Sequence, residues 1–122
     1  MLDHISLGVS DLQRSRAFYR EALAPLGLSP IFDFDDSTGY GRDGTPFFWI
    51  SRSADATPEQ GLHIAFAAAT HEAVHAFHAA ATDAGATDNG APGPRPQYTP
   101  TYYAAFIIDF DGHHIEAVCR NG

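Results

Sequence analysis

Apolar and polar positions alternate in two short segments, residues 2–7 and 61–66, and this period of two predicts a half-buried β-strand in each. Each segment carries one histidine, His4 in the first and His63 in the second, on the face opposite the large apolar side chains. Small residues share the histidine face. The two segments therefore predict strands with one face in the core and one histidine-bearing face turned away from it.

Each predicted strand is followed by a segment with helical signals. Ser10 and Gln13 are three residues apart, as in a capping box, and they predict the start of the first helix. Thr70 predicts the start of the second. Gly27 and Gly85 follow the two helices at positions suited to a left-handed cap.

Runs of aromatic and β-branched residues predict the remaining strands, at residues 28–34, 39–42 and 46–52 in the first half and 101–109 and 113–119 in the second. An Asp-Gly pair precedes the last strand of each half, Asp43-Gly44 and Asp111-Gly112, as hairpin turns favour. The order strand, helix, strands thus occurs twice. We expect an α+β fold with two similar modules, about 1–53 and 60–120, in one domain of residues 1–122 whose sheets form a shared cleft. An ordinary α+β sandwich with halves that are alike by chance is the alternative.

Composition narrows the possible partners. The chain of 122 residues has a formal charge of −8 and no lysine, and its seven arginines are scattered, so we expect neither nucleic acid nor an anionic membrane as partner. No apolar run approaches the roughly 18 residues that span a bilayer. A lone cysteine, Cys119, and the lack of a basic-then-apolar N-terminus predict a cytoplasmic protein.

Three potential metal ligands fall on corresponding strand faces. In the predicted strand at 113–119, alternation places Glu116 opposite the apolar residues, as it does His4 and His63 in their strands. Two imidazoles and a carboxylate can hold a divalent metal and leave positions open for substrate. Taken singly, each histidine could simply satisfy hydrogen bonds, and Glu116 could be a rim residue.

These residues lie in segments that resemble a known family. Residues 4–23, 63–66 and 109–116 are similar to the opening strand and helix, the second-module strand and the closing aspartate-rich turn and strand of vicinal-oxygen-chelate proteins, the glyoxalase, bleomycin-resistance and extradiol-dioxygenase type. The resemblance implies paired βαβββ modules, a divalent metal (Fe, Mn, Ni or Zn) on His4, His63 and Glu116, a catalytic role for Glu116, a small-molecule substrate and a homodimer. Whether the modules pair within one chain or across two is left open.

Departures from the family pattern indicate which reactions this chain is less suited to catalyse. Glyoxalase I-like members have a further ligand where this chain has Phe48 or Trp49, extradiol enzymes usually add a histidine upstream of the second metal histidine, and fosfomycin-resistance transferases use a lysine. This chain has neither that histidine nor a lysine. Our leading hypothesis is a metal-dependent enzyme, a lyase or dioxygenase, whose substrate chelates the metal through neighbouring oxygens. The alternative is a metal-free, bleomycin-resistance-like binding protein.

A competing motif lies in the second predicted helix. His71, Glu72 and His75 match H-E-x-x-H, the zinc-peptidase signature. Helical periodicity places His71, His75 and His78 on a solvent-facing flank, away from the apolar stripe. A zinc peptidase is therefore a remote alternative, and incidental metal binding by these histidines is the simpler expectation.

The pocket is expected to be lined by aromatic residues and by a proline-rich stretch at 89–100, which is either a plain surface connection or a lid. Core packing competes for the aromatic residues, Phe48 among them. The candidate pocket residues are Phe48, Trp49, Arg95, Tyr98, Tyr102, Tyr103 and His114.

Overall fold

The computed structural model describes residues 1–121. Its strands are β1 (Ile5–Val9), β2 (Ser29–Asp33), β3 (Ser37–Arg42), β4 (Thr45–Arg52), β5 (His63–Ala67), β6 (Thr87–Pro94), β7 (Tyr103–Ile108) and β8 (His114–Cys119). Its helices are α1 (Leu12–Leu23), which runs into a 3₁₀ turn at Ala24–Leu26, and α2 (His71–Asp83).

The two halves of the chain form two four-stranded sheets with the same topology. The strand orders are β1-β4-β3-β2 and β5-β8-β7-β6, and in each sheet the first strand pairs in parallel with the last strand of its half. The remaining pairings are antiparallel. The predicted α+β fold of two βαβββ modules is confirmed.

One hydrophobic cluster runs through both modules. Tyr19 on α1, Phe48 on β4 and Phe77 on α2 are fully buried in it. Phe48 meets Phe66 of the second module edge to face, with ring centroids 5.1 Å apart. Edge-to-face aromatic pairs of this kind are typical of densely packed cores. The two modules are therefore held together by buried side chains as well as by the connecting chain.

The first helix is capped by a different residue from the one expected. Asp11, not Ser10, is the N-cap, and its carboxylate accepts from the backbone N–H of Arg14 at 3.1 Å. The Ser10 hydroxyl instead donates to Asp111 in the second module, at 2.6 Å. The second helix begins as predicted, with the Thr70 hydroxyl accepting from the N–H of Ala73.

The two Asp-Gly pairs adopt different turns. Asp43 and Gly44 both have positive φ, 54° and 76°, so the two-residue hairpin turn is confirmed. At the second pair only Gly112 has positive φ, 89°, and the connection between β7 and β8 is longer. The second pair thus closes a longer turn, in which the N–H of Gly112 donates to the carbonyl of Asp109 at 3.2 Å.

The proline-rich stretch is partly a strand. Residues 89–94, expected to be irregular, belong to β6, which pairs with β7 and contains two register shifts. β6 lies at the edge of its sheet, so a proline that lacks an N–H can occur there without removing a hydrogen bond between strands. The register shifts accommodate the residues of β6 that do not pair with β7. Only residues 95–102 remain as a turn-rich connection.

A buried polar cluster joins α1 to the β7–β8 connection. Asp109 accepts from the Tyr19 hydroxyl at 2.5 Å and pairs with the His113 ring at 2.9 Å. Burial alone would raise the pKa of Asp109, but hydrogen bonds from His113 and Tyr19 outweigh it and hold that pKa below its usual value. Burial alone would lower the pKa of His113, and the Asp109 carboxylate raises it instead. The cluster is thus stabilised in its charged form.

Of the helices that the structure describes, neither is long and apolar enough to cross a membrane.

Candidate functional site

A cavity of about 1070 Å³ opens on the face of the second sheet that points away from α2. On β8 the residues Ile115, Ala117 and Cys119 face the core, so the alternate residues face the cavity. The cavity is bordered by both polar and aromatic side chains, among them His63, Tyr98, Tyr102, Phe106, His114, Glu116 and Arg120.

His63 and Glu116 come together at the base of this cavity. β5 and β8 are parallel neighbours, and their register places Ala65 opposite Glu116, so the side chains of His63 and Glu116 are diagonal neighbours on one face. The His63 Nε2 to Glu116 Oε1 distance is 3.4 Å. The His63 side chain is 60% exposed, whereas that of Glu116 is 2% exposed. A buried carboxylate thus lies beneath an accessible imidazole.

This spacing fits a shared metal ion. Two ligand atoms that each lie about 2.1 Å from one ion are about 3.0 to 3.4 Å apart for octahedral to tetrahedral angles. The imidazole nitrogen and the carboxylate oxygen are also donors that first-row divalent metals accept. His63 and Glu116 could therefore bind one ion together, as two of the three ligands that such a site needs.

Tyr102 holds the other carboxylate oxygen. Its hydroxyl donates to Glu116 Oε2 at 2.5 Å. Burial, and then the hydrogen bond to Glu116 with its negative charge, raise the pKa of Tyr102 to about 12. Tyr102 therefore remains a protonated donor at neutral pH, and Glu116 Oε1 is left directed at His63.

His4 is not brought to this pair within the chain. It precedes β1, and its Nδ1 lies 2.7 Å from the Asp3 carboxylate, which leaves Nε2 without a protein partner in residues 1–121. Within that described part of the chain, no three His, Cys, Asp or Glu side chains form a group that could hold one ion. His4 and His63 do border one crevice of about 310 Å³ between the β1 and β5 edges.

The predicted pocket residues divide into two groups. Tyr98, Tyr102 and His114 line the large cavity. Tyr103 points to the other face of β7, where its ring stacks on His71 at 3.8 Å. Phe48 is fully buried in the core, because β4 turns Phe48 and Ile50 towards the helices.

Arg95 and Trp49 also lie away from the large cavity's walls. Arg95 is tied to its own loop, with its guanidinium donating to the carbonyls of Ala91 and Gly93. Trp49 lies on the first sheet and stacks on Phe34 with ring centroids 6.1 Å apart. It covers Gly39, where a Cβ would stand only 2.8 Å from the indole. The neighbouring Gly39 therefore makes room for Trp49 on the outward face.

Arg120 is a wall residue that the sequence analysis did not single out. Its guanidinium carbon stands 4.9 Å from the Tyr102 ring centroid, within cation–π distance. It follows Glu116 by four positions, so the period of two along β8 and its extension is the signal that could have found it.

The histidines of α2 are engaged on the protein surface. His71 Nε2 lies 3.0 Å from the backbone carbonyl of Asn121, and His75 Nε2 lies 2.6 Å from the Tyr103 hydroxyl. His78 pairs with Asp88 at 2.9 Å. Since these partners take up the imidazoles and no third ligand joins them among residues 1–121, the arrangement does not favour a zinc peptidase.

Comparisons with known proteins agree with this architecture. The family model described as Glyoxalase/Bleomycin resistance protein/Dioxygenase superfamily matches residues 1–117. A glyoxalase/bleomycin resistance protein from Albidiferax ferrireducens T118 is 32% identical, with a TM-score of 0.88 over 98% of each chain. No curated protein matches the sequence significantly.

Two more distant solved structures share the fold. A glyoxalase-related enzyme from Fulvimarina pelagi is 20% identical, with a TM-score of 0.73 over 98% of this chain and 87% of its own. A genomically encoded fosfomycin resistance protein from Listeria monocytogenes is 22% identical, with a TM-score of 0.73 over 98% of this chain and 92% of its own.

Proposed function

This chain belongs to the Glyoxalase/Bleomycin resistance protein/Dioxygenase superfamily, and on that premise we propose that it is a metal-dependent enzyme acting on a small substrate with neighbouring oxygens. His4, His63 and Glu116 are the proposed metal ligands. The observation that carries the proposal is the His63–Glu116 pair, two suitable donor atoms 3.4 Å apart in a cavity of substrate size.

A divalent ion at this pair would polarise the substrate's oxygens as a Lewis acid and retain exchangeable positions for them. The protein's own contribution is to orient the ligands. Tyr102 fixes Glu116 Oε2, and the parallel β5–β8 pairing fixes the distance from Glu116 to His63. Tyr98 and Tyr102, whose ring centroids are 5.0 Å apart, provide an aromatic wall that would limit the water around the bound substrate.

We propose that the third ligand, His4, comes from a second copy of the chain. The Asp3 carboxylate on Nδ1 directs Nε2 outwards, as carboxylate partners do for metal-binding histidines. Large apolar side chains are exposed beside both histidines, Leu2 at 81% and Leu62 at 37%, and exposure of this kind is typical of surfaces that another chain covers. A two-fold homodimer would present both edges to each other.

Co-expression of two inactive variants tests the source of His4. His4→Ala and Glu116→Gln chains should each lack the complete site, but a mixed dimer would contain one intact site, so about a quarter of the wild-type metal sites should return. Mn(II) stoichiometry on the untagged protein measures this. A mixture with no recovered sites, alongside a wild-type protein that binds Mn(II), would place His4 in the same chain as Glu116.

The enzyme proposal is tested by ligand binding with and without metal. A mutant of the Listeria fosfomycin resistance protein was solved with Mn(II), which makes Mn(II) a reasonable first ion. Catechol and lactate should bind the Mn(II)-loaded protein at least about tenfold more tightly than the apoprotein, because only the ion offers positions that their oxygens can occupy. Isothermal titration of both forms measures the difference.

The runner-up function is metal-free binding of an aromatic ligand. The Tyr98–Tyr102 wall and the formal charge of −8 favour an aromatic cation in that case. Equal affinities of the chelators with and without Mn(II), together with tight metal-independent binding of an aromatic cation, would replace the enzyme proposal by this one.

A further inference from the structure

The large cavity is lined by a positively charged side chain, Arg120, that has no role in the proposed metal site. Arg120 borders the cavity on the continuation of β8, beyond the proposed ligand Glu116. Among residues 1–121, no carboxylate lies within 4.0 Å of its guanidinium. Arg120 is an exposed positive group in a protein with a formal charge of −8.

Tyr102 fixes where this charge lies relative to Glu116. The guanidinium lies over the Tyr102 ring, and the hydroxyl at the far end of the same ring donates to Glu116. A guanidinium group at cation–π distance from an aromatic ring can still bind an oxyanion in a bidentate manner through its N–H groups. The Tyr102 side chain therefore contacts both the Arg120 guanidinium and the Glu116 carboxylate.

Polar groups elsewhere on the cavity wall suit an oxygen-rich ligand. Gln97 and Asn89, two residues with amide side chains, border the cavity. Thr99, on the same wall, has a buried hydroxyl oxygen without a hydrogen-bond partner in the described residues. A buried hydroxyl without a partner is uncommon, and a bound ligand or water would satisfy it.

We propose that Arg120 selects substrates that carry an anionic substituent, such as a carboxylate, about one aromatic ring away from the neighbouring oxygens at the His63–Glu116 end. The inference rests on the proposed function for the placement of those oxygens. It adds the substrate's charge, which the ligand set alone does not specify.

Three probes of similar size test the proposal: 3,4-dihydroxybenzoate, 3,4-dihydroxybenzamide and 3,4-dihydroxybenzylamine, which carry a negative, neutral and positive group opposite the same two hydroxyls. The benzoate should bind about tenfold more tightly than the benzamide, as expected for a charge-assisted hydrogen bond. The benzylamine should bind most weakly. Dissociation constants are measured for the apoprotein and after addition of Mn(II).

Variants assign the preference to Arg120. Arg120→Ala should bring the benzoate and benzamide affinities within about twofold, and Arg120→Lys should keep part of the preference because the charge remains without the fork. Arg20→Ala removes the same charge from an exposed position on α1 and should leave the preference intact. A wild-type protein that binds the benzamide or benzylamine as tightly as the benzoate overturns the inference, as does an Arg120→Ala protein that keeps the preference.

The two proposals fail in different ways. If none of Mn(II), Fe(II), Ni(II) and Zn(II) binds, the metal-dependent function is contradicted, while the apoprotein affinities still decide whether Arg120 selects an anion. If Mn(II) binds and strengthens all three probes equally with no charge preference, the metal site stands and the role of Arg120 is contradicted.

Discussion

Glu116→Gln and His63→Ala should each lower the affinity for Mn(II) by more than about 100-fold, since even loss of a group that merely supports a ligand costs about 10- to 100-fold. Glutamine keeps the shape of Glu116 and can still accept from Tyr102, so the variant tests the negative charge. The His63 side chain is largely exposed, and its truncation leaves the core untouched. Competition with a fluorescent chelator measures the affinities.

The matched control is His75→Ala, which removes an exposed imidazole from α2. It should leave tight Mn(II) binding unchanged once weakly bound metal has been removed with a chelator. If His75→Ala lowers the affinity as much as His63→Ala does, the metal site lies on α2 and the proposal for the cavity is wrong.

Alternation along the strands predicted most of what the structure shows about faces. His63 and Glu116 each stood opposite apolar neighbours in the sequence, and the structure places them on one sheet face. The signal is strong because a strand that slips by one residue would bury its polar side chains and expose its apolar ones.

Where two adjacent residues are chemically similar, the local sequence could not predict which of them takes a given role. Tyr102 and Tyr103 are adjacent and identical in type, and only the pairing of Tyr103 with Cys119 decides that Tyr103 faces α2 while Tyr102 reaches Glu116. Ser10 and Asp11 are both good helix caps, and the choice depends on Asp111, about a hundred positions along the chain. Both outcomes depend on tertiary contacts.

The distance between the two modules also could not be predicted from local sequence patterns. Periodicity assigns His4 to a face of its own module, but it carries no information on how far that face lies from Glu116.

The edge strand β6, which contains proline, was not predicted from the sequence for a related reason. Proline argues against a central strand, and the sequence does not state which strand is at the edge.

Asp109→Ala should destabilise the fold by about 3 kcal/mol or more, because it leaves buried partners of a charged pair without their acceptor. Asp109 accepts from the Tyr19 hydroxyl, from the His113 ring and from the backbone N–H of His113 and Asp111. Urea unfolding followed by Trp49 fluorescence measures the free energy. Asp88→Asn, which breaks an exposed aspartate–histidine pair on the surface, is the control and should have a small effect.

The pH dependence of this difference follows from the two pKa shifts. The lowered pKa of Asp109 gives stability that is present above the unfolded value of about 3.9 and is lost as the pH falls through the folded pKa. The raised pKa of His113 gives stability that is present below the unfolded value of about 6.5 and is lost as the pH rises through the folded pKa. The gap in unfolding free energy between wild type and Asp109→Ala should therefore be widest between about pH 4 and 6.5 and narrow on both sides. A gap that stays constant from pH 4 to 9 would show that Asp109 acts through hydrogen bonds alone, without the charge on His113.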